Sequence, residues 1–126
     1  MRPGLMWYGP FGMGITRGIE AFSSQAIDPF KKGISDWKSD GRKALCGEGS
    51  YAATVGWPSF VGTHTGNGWL GTTETGKQVS MRWMDFWRRE GDLLVENWAF
   101  ADIIDLFQQL GIDLFARMNE QRKRTI

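Results

Sequence analysis

The segment from Lys77 to Arg88 alternates with a period of two, and this constrains the fold more than any other feature. One set of positions reads Val79, Met81, Trp83, Asp85 and Trp87; the other reads Ser80, Arg82, Met84, Phe86 and Arg88. Period two is the mark of a strand, whose side chains point alternately to opposite faces. The first face is apolar apart from one carboxylate, so it must pack against a core. Arg89-Glu90-Gly91-Asp92 reads as a hairpin turn, which predicts a partner strand from Leu93 to Phe100. Upstream, Tyr51 to Thr65 reads as a long strand, with a bulge expected at Gly56-Trp57-Pro58. Lys43 to Cys46 reads as a shorter strand ahead of a turn at Gly47-Glu48-Gly49-Ser50. Gly66 to Gly76 is a Gly- and Thr-rich connection.

Either side of this β region the period lengthens. Leu5-Met6-Trp7-Tyr8 is a short β-prone run stopped by Gly9-Pro10. The glycines of Gly9 to Gly14 fit neither GxxxxGK[ST] nor a full GxGxxG, which excludes a phosphate cradle. Ile19, Phe22, Ala26, Ile27 and Phe30 recur at three- and four-residue steps, which predicts a helix with Thr16 as N-cap. Pro29 is expected to break or restart it, and Gly33 to lie near its end. A second stripe, Ile103, Leu106, Phe107 and Leu110, is capped by Gly111; Leu114, Phe115 and Met118 form a third. The order of elements predicts an α+β fold, with helices on one side of a curved antiparallel sheet.

The 126 residues predict a single domain over 1–126. Lys plus Arg is 15 and Asp plus Glu is 14, a net charge of +1, which gives no electrostatic footprint for nucleic acid or an anionic membrane. The lone cysteine, Cys46, forms no internal disulfide, and no Cys/His cluster suits zinc, so no metal is expected. The N-terminus lacks the apolar run of a signal peptide, and nothing approaches the ~18 apolar residues of a membrane span. The expectation is a cytoplasmic chain. Seven tryptophans are well above ordinary usage and suit a ligand pocket.

Asp85 is the first candidate for chemistry. A carboxylate on an apolar face loses hydration, which favours its neutral form and raises its pKa towards the range of a general base or acid. The alternative is a buried Asp tied to backbone or to an Arg such as Arg82. Its neighbours on the partner strand depend on register. A three-residue loop sets Asp85 opposite Asn97 and Trp83 opposite Ala99; a two-residue loop sets Asp85 opposite Glu96 and Trp83 opposite Trp98. His64, the only histidine, has a pKa suited to proton transfer, although a lone His is more often structural. Asp102 opens the last helical region as an N-cap. Trp7, Tyr8, Trp69, Trp83, Trp87, Trp98 and Asp102 are the expected substrate-binding residues.

The segment Gly62-Thr63-His64-Thr65-Gly66, then Trp69-Leu70-Gly71 and Thr75-Gly76-Lys77, resembles the GTHxG…G…TG[RK] signature of SnoaL-like polyketide cyclases. The likeness runs on through Met84-Asp85-Phe86-Trp87-Arg88, Gly91, Glu96-Asn97-Trp98 and Gln109-Leu110-Gly111. Upstream, Tyr8-Gly9-Pro10 and Gly18-Ile19-Glu20-Ala21-Phe22 also fit, so it covers about residues 5 to 112. The resemblance implies an NTF2-like fold, a cone-shaped α+β barrel in which a strongly curved sheet wraps a helix around an apolar pocket. It implies aldol-type ring closure of polyketide esters without metal or organic cofactor. It also favours the three-residue turn, with Asp85 and Asn97 side by side.

In that family an Asp just before the Trp of the last strand is the acid/base; here the position is Asn97, and the carboxylate is Asp85 across the pocket. Relatives start with one or two helices that precede the first strand. Here only four residues precede Leu5, so either the chain is a fragment of a longer protein or a partner covers the exposed surface. The resemblance also implies a homodimer formed through the outer sheet face, where Met84 and Phe86 would lie.

Two readings follow. In the first, the chain is a cofactor-independent enzyme, an aldol-type cyclase or isomerase acting on a small apolar molecule. Asp85 takes an acidic C–H proton, Asn97 donates a hydrogen bond to the enolate, and His64 assists. In the second, the chain is a non-catalytic ligand-binding or dimerisation module.

Overall fold

The computed structural model describes residues 3–40 and 43–125. Its elements are β1 (Met6–Tyr8), β2 (Ile15–Arg17), α1 (Ile19–Phe22), a π-helical segment (Ser23–Ile27), α2 (Asp28–Gly33), β3 (Lys38–Ser39), β4 (Lys43–Glu48), β5 (Tyr51–Thr63), a 3-10 turn (Trp69–Gly71), β6 (Gln78–Glu90), β7 (Leu93–Ala101), α3 (Ile103–Gln109) and α4 (Leu114–Arg124). The strands form one open curved sheet in the order β2-β1-β7-β6-β5-β3, with β4 also on β5. All pairs are antiparallel except β1 with β7, which run parallel. The α+β expectation is met, with that one parallel pair as an addition. Among the described residues, no helix is long and apolar enough to cross a membrane.

The two faces of β6 lie as the alternation predicts. Val79 and Met81 join Ile34, Trp69, Leu106 and Leu110 in the core, while Phe86 on the other face is exposed. The inner face of β7 reads Val95, Asn97 and Ala99, all buried.

Two irregularities shape the sheet. In β5 the ladder to β6 shifts between Gly56 and Phe60, so Trp57, Pro58 and Ser59 stand out of register at the expected bulge. Buried Ser59 closes the gap, its hydroxyl bonding the carbonyls of Gly56 (3.2 Å) and Trp83 (3.0 Å). The second lies in the hairpin and corrects both expected registers. Glu90 pairs with Leu93, so the turn has two residues, but Arg89 pairs with Leu94 and Arg88 with Glu96. Val95 is therefore a one-residue bulge. The two-residue turn alone sets Asp85 opposite Trp98, not the expected Glu96, and the extra residue moves every later pair by one more, so Asp85 faces Ala99, Trp87 faces Asn97 and Trp83 faces Ala101. A regular ladder, assumed in both sequence readings, has no place for this residue.

The first helical region is continuous rather than broken at Pro29. A proline ring collides with the carbonyl four residues back and offers no N–H. The preceding turn widens to accommodate it: residues 23–27 are π-helical, and the Asp28 N–H reaches back to the Ser23 carbonyl. Thr16 is not the N-cap. It lies in β2 opposite Trp7 and is buried, and Gly18 takes the cap position with φ 87°. At the other end, Asp102 and Asp113 cap α3 and α4 by accepting from the N–H groups of Asp105 and Ala116.

Candidate active site

The inner face of the sheet and the first helical region enclose a cavity of about 290 Å³. The sheet contributes Trp7 from β1, Phe60 from β5, Trp83, Asp85 and Trp87 from β6, and Asn97 from β7. The helical side contributes Phe22, Ala26, Ile27, Phe30 and Lys31, with Met13 and Trp37 from the flanking loops. Most of this wall is aromatic, and the rings brace one another: Phe60 meets Trp83 edge-on at 5.8 Å, Phe30 meets Phe60 at 5.9 Å, and Trp7 meets Phe22 at 5.4 Å. A cavity of about 150 Å³ accommodates one benzene ring, so this one suits roughly two fused rings.

Each wall residue has a sequence cause. Trp83, Asp85 and Trp87 share a face because they alternate. Small residues opposite them, Ala99 facing Asp85 and Ala101 facing Trp83, leave the space that larger side chains would fill. Trp7 enters because Gly9 lies beneath its ring: a Cβ on Gly9 would come within 2.3 Å of the Trp7 ring and 2.7 Å of the Gly14 carbonyl.

Two polar groups stand on the floor. Asn97, 2% exposed, donates from Nδ2 to Asp85 Oδ1 at 3.1 Å and to the Phe86 carbonyl at 3.1 Å. The pair is diagonal across the ladder, not the side-by-side pair that the three-residue turn required. It forms because Asn97 sits opposite Trp87, two residues along the same face from Asp85. Both acceptors are oxygens, so the amide orientation is determined: the flipped amide would set oxygen against oxygen. Both Nδ2 protons are thereby committed to protein acceptors. The expected hydrogen bond from Asn97 to an enolate is replaced by one that holds Asp85. Arg82 does not pair with Asp85; it starts on the outer face and bridges Asp102 (3.2 Å) and Asp105 (3.5 Å).

The other expected site residues lie elsewhere. Tyr8 and Trp98 are each one step from an inward residue, so they occupy the opposite face, stacked at 5.7 Å with planes 6° apart. Trp69 is core, buried against Ile34, Val79 and Met81. Asp102 caps α3 and pairs with Arg82, outside the cavity. Among the expected residues, Trp7, Trp83, Trp87, Asp85 and Asn97 come together, whereas Tyr8, Trp69, Trp98, Asp102 and His64 do not line the cavity. Trp37 and Phe60 were missed. Phe60 lies just past the bulge in β5, and Trp37 in a polar stretch that reads as a turn. Phe22, Ala26, Ile27 and Phe30 were legible as the helix stripe.

His64 is 0% exposed and holds structure together. The Thr72 hydroxyl donates to the Trp69 carbonyl at 2.6 Å, so it accepts the His64 Nε2 proton at 2.9 Å. His64 Nδ1 then accepts from the Thr75 hydroxyl at 2.8 Å. Beside it, the Thr65 hydroxyl donates to the Lys32 carbonyl at 2.7 Å, and the Thr65 and Gly66 N–H groups donate to the Gly33 carbonyl at 2.7 and 3.1 Å. These satisfy carbonyls that the end of a helix leaves unpaired. The Gly62–Gly66 signature is thus a fastening between α2 and the sheet.

Burial lowers the His64 pKa from the ordinary 6.5. The unfolded chain then takes up a proton that the folded one refuses, so stability held at neutral pH falls as pH drops below 6.5 towards the folded-state value. In urea titrations the wild type is expected to lose stability from pH 7 to 5 at up to about 1.4 kcal/mol per pH unit, a slope that His64→Gln flattens. Equal slopes for the two proteins would contradict a buried neutral imidazole.

The family model of SnoaL-like polyketide cyclases matches residues 10–110. The chain belongs to that family. Among solved structures, this SnoaL-like chain is similar to IdmH, a candidate polyketide cyclase from Streptomyces antibioticus, at 21% identity, with 89% of this chain and 82% of that chain covered and a TM-score of 0.70. It is similar to AclR, a candidate hydroxylase from Streptomyces galilaeus, at 20% identity, covering 87% and 77%, with a TM-score of 0.67. An NTF2-like protein from Burkholderia thailandensis matches at 20% identity, covering 87% and 78%, with a TM-score of 0.67. No curated protein sequence matches the chain. These likenesses establish the NTF2-like fold of this SnoaL-like domain. They do not choose a reaction, since the first two neighbours carry different reaction names on one fold.

Proposed function

We propose that the chain is a small-molecule enzyme whose own side chains perform acid–base chemistry on a flat, apolar carbonyl compound. The observation that carries this reading is the Asp85–Asn97 pair on the floor of an aromatic cavity. The Asp85 carboxylate takes a proton from carbon next to a carbonyl, and the C–H electron pair moves into the carbonyl to give an enolate. In an aldol-type closure the enolate carbon attacks a second carbonyl, and Asp85 returns its proton to the resulting alkoxide. Asn97 keeps the carboxylate aimed through its Nδ2–H. The aromatic walls hold the substrate flat and exclude water.

Proton exchange tests this. Aryl 1,3-dicarbonyl probes in deuterium oxide are expected to lose their α-proton NMR signal faster with the protein than with buffer. Exchange at the buffer rate would remove the catalytic reading. The second reading, a binding module, is favoured by Asn97 standing where the family resemblance implies a carboxylate. It predicts probe binding without accelerated exchange.

The proposal includes a second copy of the chain on the outer sheet face. Phe86 and Phe100 are exposed there, their rings edge-to-face at 6.3 Å, and Met84 lies opposite Phe100. Exposed aromatic pairs on a sheet suit an interface. Light scattering is expected to give a dimer mass for the wild type and a monomer mass for Phe86→Lys combined with Phe100→Glu. A monomeric wild type would remove this part.

A further inference from the structure

We propose that Lys31 selects substrates bearing an anionic group, so that the cavity takes amphiphilic acids whose flat body lies inside and whose carboxylate sits at the rim. This rests on the cavity being a ligand site and goes further by naming the substrate class.

Apart from Asp85 and Asn97, the described lining of the cavity is apolar but for Lys31. Asp85 and Asn97 belong to the sheet; Lys31 belongs to the last turn of α2 on the helical side and is solvent-exposed. Among the described residues, no ion pair engages it. It lines the cavity and is open to solvent at the same time, a position that suits a long cationic side chain with an apolar stem and a hydrated head.

The cavity thus carries a cation on its helical side and a carboxylate on its sheet side. A ligand carboxylate is attracted to Lys31 and repelled by Asp85, so an acid enters in one orientation. Its uncharged part, with the acidic C–H, then meets the base. A neutral ligand of the same shape gains the same burial but has no such bias. Because Lys31 is exposed, solvent screens the interaction and keeps the preference moderate. A carboxylate held partly away from water at the rim of an apolar wall gains more than one on an open surface.

The test compares two probes with one two-ring body, 2-naphthoate and 2-naphthalenemethanol. Binding is read by quenching of tryptophan fluorescence, since Trp7, Trp83 and Trp87 line the cavity. The wild type is expected to bind the acid about two- to fivefold more tightly than the alcohol at low salt. Half-molar salt should weaken the acid alone. Lys31→Met should abolish the preference for the acid, and Lys31→Glu should reverse the order. Equal affinities in the wild type, or a preference that survives in Lys31→Met, would overturn the inference while leaving the cavity as a ligand site. If neither probe binds, the cavity reading itself fails and takes this inference with it.

Discussion

Replacing Asp85 with asparagine is expected to slow protein-catalysed proton exchange on the order of 10³-fold, the scale of a lost general base. The substitution is close to isosteric. An amide oxygen at position 85 can still accept from Asn97 Nδ2, which now reaches Asp85 Oδ1 at 3.1 Å. The cavity therefore keeps its shape, and probe affinity should change less than twofold while the rate collapses. A variant that exchanges at the wild-type rate would rule out Asp85 as the base. Asn97→Ala supplies a second arm. It removes the donors to both Asp85 Oδ1 and the Phe86 carbonyl, so the carboxylate loses its aim. The expected result is a fall in kcat of ten- to a hundredfold with little change in KM, because the group lost holds the base and is not a ligand contact.

The largest stability effect is expected at Gly33, a buried glycine in the last turn of α2. The Trp69 side chain packs directly on it: a Cβ there would come within 2.6 Å of the indole ring and 2.8 Å of the Trp69 Cβ. Trp69 has little room to yield, since Phe30 meets it at 5.5 Å and Ile34, Val79 and Met81 pack in the same cluster. The Gly33 carbonyl also receives the N–H groups of Thr65 and Gly66. Gly33→Val therefore overpacks the core and loosens the fastening between helix and sheet. A loss of about 3 kcal/mol is expected, which lowers the melting midpoint by roughly 10 °C. Gly33→Ala should cost less, because alanine recovers about 1 kcal/mol of helix propensity. A wild-type midpoint for Gly33→Val would show that Trp69 does not depend on this contact.

The candidate site was half legible in the sequence. Trp83, Asp85 and Trp87 share a face by alternation alone, and the helix stripe from Phe22 to Phe30 announced the opposite wall. Tyr8 and Trp98 were misplaced although parity places each one step off the inward residues Trp7 and Asn97. The family signature around His64 drew attention to a histidine whose nitrogens both serve structure. A motif can be recognisable because it fastens a helix to a sheet, and such fastening demands particular residues as strictly as catalysis does.

What the sequence determined by itself was periodicity: the α+β class, the two faces of β6, the bulge near Trp57 and the carboxylate on an apolar face. These are local properties, written in spacings of two and of three to four residues. What the tertiary structure decided was how strands align and which groups meet across them. The two-residue turn and one bulged residue, Val95, each moved the ladder by one, so Asn97 stands opposite Trp87 and not beside Asp85, and its amide reaches back along the diagonal. No local pattern encodes that shift, because a bulge forms where pairing, turn geometry and packing compete across the whole hairpin. The same competition committed both Asn97 protons to protein acceptors, so Asn97 holds the Asp85 carboxylate and has no amide proton left over for a bound molecule.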